Sequence, residues 1–80
     1  LEFRLYPNPA QNQLNLAFRE AVAIDDLLLY DMSGRPLRPA YTQYGPQTKI
    51  DLGGLPAGLY ILRVQTQLGS IQQRVQILSD

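Results

Sequence analysis

Apolar and polar residues alternate along much of this chain with a period of two, the pattern of a β-strand that buries one face. Five segments follow it: residues 1–6, 13–18, 48–52, 59–64 and 71–78. The fourth segment is the strongest, because Tyr60, Leu62 and Val64 fall on one face of a continuous β-prone run. Each of the five segments is therefore predicted to be a strand.

Residues 21–31 allow two interpretations. The alanine-rich first half, followed by Asp25 and Asp26, is compatible with the start of a helix. The apolar residues after it lack the 3.6-residue spacing of an amphipathic helix, and the neighbouring segments read as strands. We predict a strand over Leu27 to Asp31 that is buried on both faces, because its apolar residues are consecutive.

Turn-forming residues separate these segments. The Pro-Asn-Pro run at 7–9 ends the first strand, because proline cannot donate a hydrogen bond to a sheet. Residues 31–34 place Asp first and Gly fourth, which favours a type I turn. Residues 35–38 then continue as a short strand, and Pro36 and Pro39 confine it to a sheet edge.

Three further connections complete the chain. Residues 40–47, rich in tyrosine, glycine and proline, are predicted to be a surface connection without a strand. Pro56 has the preset φ that a turn needs and Gly58 stands at its exit, which predicts a tight hairpin before the strand that starts at Leu59. Residues 66–70 form the last turn.

Together these segments make seven short strands at a spacing of roughly 8–12 residues, which is typical of an all-β antiparallel sandwich. No helix is required. A chain of 80 residues is enough for one domain, which we place at residues 1–80. The chain opens directly on a strand without a methionine or a leader, so we expect it to be a module of a longer protein.

Composition argues against several classes of function. Lys and Arg number 7 and Asp and Glu number 7, scattered singly, so no basic surface for a nucleic acid is expected. Cysteine and histidine are absent, which removes disulfides, thiolate nucleophiles, zinc–sulfur sites and the usual general base. The longest apolar run, Leu27 to Tyr30, is too short to cross a membrane. We expect no enzyme activity, metal, cofactor or membrane insertion.

The few candidate reactive residues have simple structural explanations. In a strand, Asp25 and Asp26 point to opposite faces, so they cannot share a proton or one metal ion. Ser33 and Ser70 lack a histidine that would activate them, and both are predicted to occupy turns. The Gly-Gly pair at 53–54 precedes a turn rather than a helix, which excludes a phosphate-binding loop. No catalytic residue is predicted.

Two surface features remain open to more than one interpretation. Tyr41 and Tyr44 either form a stacking platform for a sugar ring or cover the open end of the sandwich. In the last strand Gln72, Arg74 and Gln76 form a polar row on the exposed face. This strand either only completes the sandwich or serves recognition by pairing with a strand of a partner.

Four motifs follow one another in a fixed order: Tyr6-Pro7-Asn8-Pro9, then residues 29–35, then 50–52 with 55–60, and finally 74–77. In this order they resemble the C-terminal sorting domain, or Por secretion tail, of cargo proteins of the type IX secretion system. The positions that carry the family pattern are Tyr6, Pro7, Asn8, Pro9, Tyr30, Asp31, Gly34, Arg35, Leu55, Pro56, Gly58 and Tyr60. The resemblance covers essentially the whole chain.

The resemblance implies a seven-stranded immunoglobulin-like β-sandwich that labels a larger cargo domain, upstream in the same chain, for export. Such a label directs its cargo from the periplasm through an outer-membrane translocon to the cell surface or the medium. A surface sortase typically removes the label afterwards. The resemblance thus implies a sorting signal and not an enzyme.

The family concentrates its recognition information in the final hairpin, which corresponds here to residues 58–64 and chiefly to the last strand. Many members carry a lysine at this end, where Arg74 is the cation of this chain. The residues implied to meet the translocon are Gly69, Ser70, Ile71, Gln72, Gln73, Arg74, Val75, Gln76, Ile77 and Leu78.

The alternative from another class is a structural or carbohydrate-binding β-sandwich module attached to an extracellular enzyme. Measurable affinity for a glycan would favour this alternative, whereas export of an unrelated protein would favour the sorting signal.

Overall fold

Two four-stranded antiparallel sheets make up the fold of this protein. The computed structural model describes residues 1–78, and within them it has eight strands and no helix. The first sheet has the order β1-β2-β6-β5 and the second has the order β4-β3-β7-β8. The strands are β1 (Phe3–Tyr6), β2 (Gln13–Phe18), β3 (Ile24–Tyr30), β4 (Pro36–Leu37), β5 (Tyr41–Tyr44), β6 (Gln47–Asp51), β7 (Gly58–Thr66) and β8 (Gly69–Ile77).

The strand count differs from the predicted seven because β5 lies where a surface connection was expected. Every residue of β5 is exposed, so no apolar alternation marks it in the sequence. A two-residue loop of Gly45 and Pro46 joins it to β6 and pairs Tyr44 with Gln47. Gly45 has a φ of 57°, which favours glycine at the first loop position of such hairpins. Local turn chemistry, rather than burial, creates this strand.

The ambiguous segment is a strand, so the helical interpretation is wrong. β3 pairs with β7 along most of its length and with β4 at its end. Leu27 and Leu29 are buried, whereas Leu28 and Tyr30 on the opposite face are only half-buried. The predicted burial on both faces is therefore wrong for the outer face, because no further layer of residues 1–78 covers this sheet.

One apolar core fills the space between the two sheets. The inward faces predicted for β2, β6, β7 and β8 are confirmed, since their alternate residues are buried, except that Gln73 in the inward row of β8 is exposed. Phe3 and Leu5 of the edge strand β1 are half-buried and pack against the rim of the core. The buried apolar residues are Ala10, Leu14, Leu16, Phe18, Val22, Leu27, Leu29, Ile50, Leu52, Tyr60, Leu62, Val64, Ile71, Val75 and Ile77.

The predicted hairpin around Pro56 is instead a corner that crosses between the sheets. β6 belongs to the first sheet and β7 to the second, so these strands do not pair. The hydrogen-bonded turn lies earlier, where the Leu55 amide donates to the Leu52 carbonyl over 3.2 Å. Gly54 has a φ of 83°, the value that the third position of a type II turn requires. Pro56 follows this turn, and Gly58 begins β7.

Tyr60 holds this corner together. Its hydroxyl donates to the Pro56 carbonyl over 2.7 Å, while its ring lies in the core with 4% of its surface exposed. A tyrosine that bonds the main chain a few residues upstream is a known corner device of immunoglobulin-like sandwiches. The arrangement is consistent with the predicted immunoglobulin-like class. Within residues 1–78, no helix exists that is long and apolar enough to cross a membrane.

Candidate recognition surface on the terminal strand

The last strand, β8, lies at the edge of the second sheet. It pairs along its whole length with β7, from Gly58 opposite Ile77 to Thr66 opposite Gly69. The loop between the two strands has two residues, so the predicted last turn is confirmed. An edge strand presents one row of main-chain N–H and C=O groups away from its sheet. What meets that row decides whether β8 is accessible to a partner.

Residues 7–10, which we call the edge clip, cover the C-terminal half of that row. The Asn8 side chain donates from Nδ2 to the Arg74 carbonyl over 2.9 Å and accepts from the Gln76 amide over 3.0 Å. The Ala10 amide donates to the Gln76 carbonyl over 2.8 Å, and the Leu78 amide donates to the Ala10 carbonyl over 2.7 Å. Ala10 is buried, so the clip is anchored in the core.

The N-terminal half of the row has no such cover. The bonds made by the clip show that the main-chain groups of Arg74 and Gln76 point outward, and residues two apart in a strand point the same way. Ser70 and Gln72 therefore also present their N–H and C=O groups outward. Among residues 1–78, nothing hydrogen-bonds to these outward groups of Ser70 and Gln72. We call the stretch from Ser70 to Arg74 the open edge.

An open groove of about 510 Å³ runs over the outer face of the second sheet, beside the open edge. Ile61 and Leu59 of β7 form its apolar floor, and Met32, 71% exposed, stands at one side. Gln72 and Arg74 form the rim on the β8 side. The same stretch of β8 therefore borders the groove with its outer-face side chains and forms the open edge with its main-chain groups.

The charges around the groove are predominantly positive. Arg63 and Arg74 both line it, and neither has a carboxylate partner among the described residues. Asp31 also lines it, but its Oδ1 accepts hydrogen bonds from the Ser33 amide, the Ser33 hydroxyl and the Arg35 amide. The Asp31 carboxylate is therefore already satisfied, whereas the two guanidinium groups are available to a ligand.

The turn at Asp31 shows how this carboxylate is held. The Gly34 amide donates to the Asp31 carbonyl over 2.9 Å, which confirms the predicted turn. The hydrogen bond from the Ser33 hydroxyl is the main cause that lowers the pKa of Asp31, followed by the bond from the Arg35 amide. The Ser33 amide and the charge of Arg35, whose Nε lies 3.3 Å from Oδ2, act in the same direction.

The structure brings several predicted positions together and leaves others apart. Asn8 meets β8 directly, and Tyr30, Asp31 and Gly34 line the same groove as Gln72 and Arg74. By contrast, the positions at Leu55, Pro56, Gly58 and Tyr60 build the corner between the sheets. Within β8, the buried side chains belong to the core: Ile71, Val75 and Ile77.

Sequence reasoning did not single out four groove residues, although three of them lie within the implied recognition segment 58–64. Leu59, Ile61 and Arg63 lie on the outer face of β7, and Met32 lies in the adjacent turn. The signal was present, because the run from Leu59 to Leu62 is apolar at consecutive positions and a strand with one solvated face needs only alternate ones. The apolar residues on the outer face of β7, Leu59 and Ile61, are therefore partly exposed and line this groove.

The other candidate residues behave as simple structural elements. Asp26 accepts a hydrogen bond from Arg38 over 2.6 Å, whereas Asp25 is exposed at a point where the pairing of β3 with β7 shifts register. No group of three acidic residues in residues 1–78 could hold a metal ion. Ser33 bonds locally in its turn as predicted, but Ser70 is the second residue of β8 rather than a turn residue.

The two tyrosines of β5 do not form a shared platform. Tyr41 stands opposite buried Ile50, whereas Tyr44 stands opposite exposed Gln47. Since residues three apart in a strand point to opposite faces, the two rings lie on opposite sides of the sheet. The Lys49 ammonium lies over the Tyr44 ring, 5.7 Å from its centroid. Of the two interpretations of this pair, the shared sugar-stacking platform is therefore wrong.

Comparison with known proteins addresses the family and the fold separately. The family model described as "Secretion system C-terminal sorting domain" matches residues 4–78. The crystal structure of CopC from Methylosinus trichosporium OB3b has a similar fold, with a TM-score of 0.61 and 14% sequence identity. That similarity covers 99% of this chain and 94% of CopC, and it bears on the fold alone. No protein of curated function matches the sequence.

Proposed function

The chain belongs to the family of secretion system C-terminal sorting domains, and from that membership we propose how it acts as a type IX sorting signal. Residues 1–80 serve as one domain that directs an upstream cargo domain through the outer-membrane translocon. The cargo passes through the periplasm and reaches the cell surface or the medium, where a surface sortase removes the label. The family supports a non-catalytic module whose role is to be bound by other proteins.

Recognition by the translocon uses β8, and the segment that the translocon contacts is Gly69 to Leu78. The observation that carries this proposal is that β8 is an edge strand whose outward main-chain groups at Ser70 and Gln72 have no partner within residues 1–78. The side chains of Gln72, Arg74 and Gln76 are exposed on the outer face. A partner can therefore meet both the edge and one face of this strand without unfolding the sandwich.

A fusion experiment tests the sorting function. Residues 1–80 are attached to an unrelated periplasmic reporter in a cell that has the type IX machinery, and reporter activity in the medium and on the cell surface is measured. Export of the reporter is the expected result. Retention of the folded fusion in the periplasm would contradict the proposal, and glycan affinity of the retained domain would favour the carbohydrate-binding alternative.

A matched pair of variants tests the role of β8. Gln72→Glu, Arg74→Glu and Gln76→Glu together reverse the charge of its exposed face, and export is expected to fall. The control carries Thr42→Glu, Gln47→Glu and Lys49→Glu on the first sheet, where the three side chains are also exposed. Equal export of both variants would contradict recognition through β8. These substitutions are more informative than a deletion of residues 74–80, which would also remove buried Val75 and Ile77 from the core.

A further inference from the structure

We propose that the open edge and the groove beside it form one docking site for an extended segment of a partner protein that carries a carboxylate side chain and a large apolar side chain. The segment adds to β8 as a further strand, and its outward side chains reach the groove. This inference specifies which side chains of a partner protein bind the proposed sorting signal, and it rests on that function.

The main chain of β8 determines where the segment can bind. Ser70 and Gln72 offer outward N–H and C=O groups, and Arg74 offers its N–H. The Arg74 carbonyl and all outward groups after it are occupied by Asn8 and Ala10. The edge clip therefore stops an added strand at Arg74 and restricts it to the part of β8 that borders the groove.

The side chains beside this edge determine the chemistry of the segment. An added strand lies about 4.8 Å from β8, and its side chains on the outer face stand next to those of Gln72 and Arg74. Because Arg63 and Arg74 have no carboxylate partner among the described residues, an acidic side chain at this point gains a charge-assisted hydrogen bond. A lysine or arginine at the same point would be repelled.

The groove receives the apolar side chain. Leu59, 37% exposed, and half-buried Ile61 form an apolar floor that no residue of the described chain covers. Because Gln72 and Arg74 form its rim, a segment paired with the open edge lies beside that rim, about 10 Å from β7 by two strand spacings, and a large side chain that leans over the rim enters the groove. A large apolar side chain of the segment can therefore be removed from water there, which adds to the affinity that main-chain pairing provides.

A peptide titration tests the docking site without the export machinery. The probe is acetyl-Thr-Glu-Thr-Leu-Thr-amide, and the comparison peptide has lysine in place of glutamate. We expect the probe to shift the NMR amide signals of Ser70, Gln72 and Arg74 and the methyl signals of Ile61 and Met32, with roughly tenfold weaker binding of the lysine peptide. Absence of these shifts at millimolar peptide, or equal shifts with both peptides, would overturn the proposal.

Two variants separate the edge from the charge. Gln72→Pro removes an outward N–H that β7 does not use, so it blocks pairing while proline remains acceptable in an edge strand. Arg63→Glu with Arg74→Glu leaves the main chain intact and reverses the local charge. Both variants are expected to lose the probe-induced shifts. The control, Arg4→Glu with Lys49→Glu on the first sheet, is expected to keep them. If either variant retains its dispersed spectrum and still binds like the control, the docking site is wrong.

The same charge variants in the reporter fusion separate this inference from the sorting function. Export of the unmodified fusion together with unchanged export of the Arg63→Glu, Arg74→Glu variant would overturn the docking site and leave the sorting function standing. Failure of the unmodified fusion to be exported would contradict the sorting function, while the peptide titration still decides whether the site binds its ligand.

Discussion

Asn8 and Gln76, 68 positions apart in the sequence, are joined by a hydrogen bond of 3.0 Å from the Gln76 amide to the Asn8 side-chain oxygen. The nitrogen of the same side chain bonds the Arg74 carbonyl, so one amide side chain acts as a short piece of strand along the edge of β8. The Pro-Asn-Pro motif thus does more than end β1. It ties the start of the chain to the strand for which recognition is proposed.

Replacement of Asn8 tests this tie. Asn8→Ala removes both side-chain hydrogen bonds and leaves the Gln76 amide without its partner, so the free energy of unfolding is expected to fall by about 1 kcal/mol. Urea denaturation measures this change, and faster hydrogen exchange at Gln76 locates it. The control is Asn12→Ala, since the Asn12 side chain makes no hydrogen bond within residues 1–78. Equal stability of the two variants would show that the clip does not hold β8.

The corner between the sheets depends on one hydroxyl group. Tyr60→Phe keeps the buried ring but removes the bond to the Pro56 carbonyl, and we expect a loss of about 1 kcal/mol in the free energy of unfolding. Tyr41→Phe, at a residue of β5 that is 40% exposed, removes a hydroxyl without a partner in the described chain and should leave stability unchanged. Thermal denaturation of both variants compares them directly. An unchanged midpoint for Tyr60→Phe would rule out this corner contact.

Two buried threonines should respond to the same substitution with opposite signs. The Thr48 hydroxyl has no hydrogen-bond partner within residues 1–78, although the residue is 1% exposed. The Thr66 hydroxyl donates to the Gly69 carbonyl over 2.7 Å and accepts from the Leu68 amide over 3.1 Å. Thr48→Val therefore relieves the burial of an unpaired polar group and is expected to stabilise by up to about 1 kcal/mol. Thr66→Val is expected to destabilise by about 1–2 kcal/mol, because it removes both hydrogen bonds and leaves the Leu68 amide of the last turn without its partner.

Chemical denaturation of the two valine variants beside the unmodified chain provides the measurement. Each variant is the control of the other, since both lose the same hydroxyl from a buried strand position. Destabilisation of similar size in both would mean that Thr48 has a partner, such as a buried water molecule, and would contradict the prediction.

Asp31 makes the stability of the turn dependent on pH. Its folded-state pKa lies below the ordinary value of 3.8, mainly because the Ser33 hydroxyl bonds the charged carboxylate. Its contribution to stability is therefore fully present above 3.8 and is lost as the pH falls through the folded-state value. Asp31→Asn should melt at a lower temperature than the unmodified chain near neutral pH, and the difference should shrink in acid. Asp25→Asn, at an exposed carboxylate without a hydrogen bond among the described residues, is the control and should leave the melting temperature near neutral pH unchanged.

The sequence predicted most strands because their apolar residues alternate. β2, β6, β7 and β8 lie within a residue or two of the predicted segments, since a buried face leaves a period of two in the sequence. β5 was missed because all of its residues are exposed. The connection between β6 and β7 was predicted to be a hairpin, but it crosses from one sheet to the other. Glycine and proline indicate a reversal, but a hairpin and a crossing between sheets use the same residues.

The sequence alone determined the strand class, the inward faces, the family resemblance and the absence of cysteine and histidine, because each of these depends on residue type and local order. Only the tertiary structure decided that residues 7–10 cover half the edge of β8, and that Arg63, Arg74 and an apolar groove meet beside the other half. These relationships join residues far apart in the chain, and main-chain hydrogen bonds to an edge strand depend on strand order rather than on side-chain type. The division of β8 into a covered and an open half follows from that order.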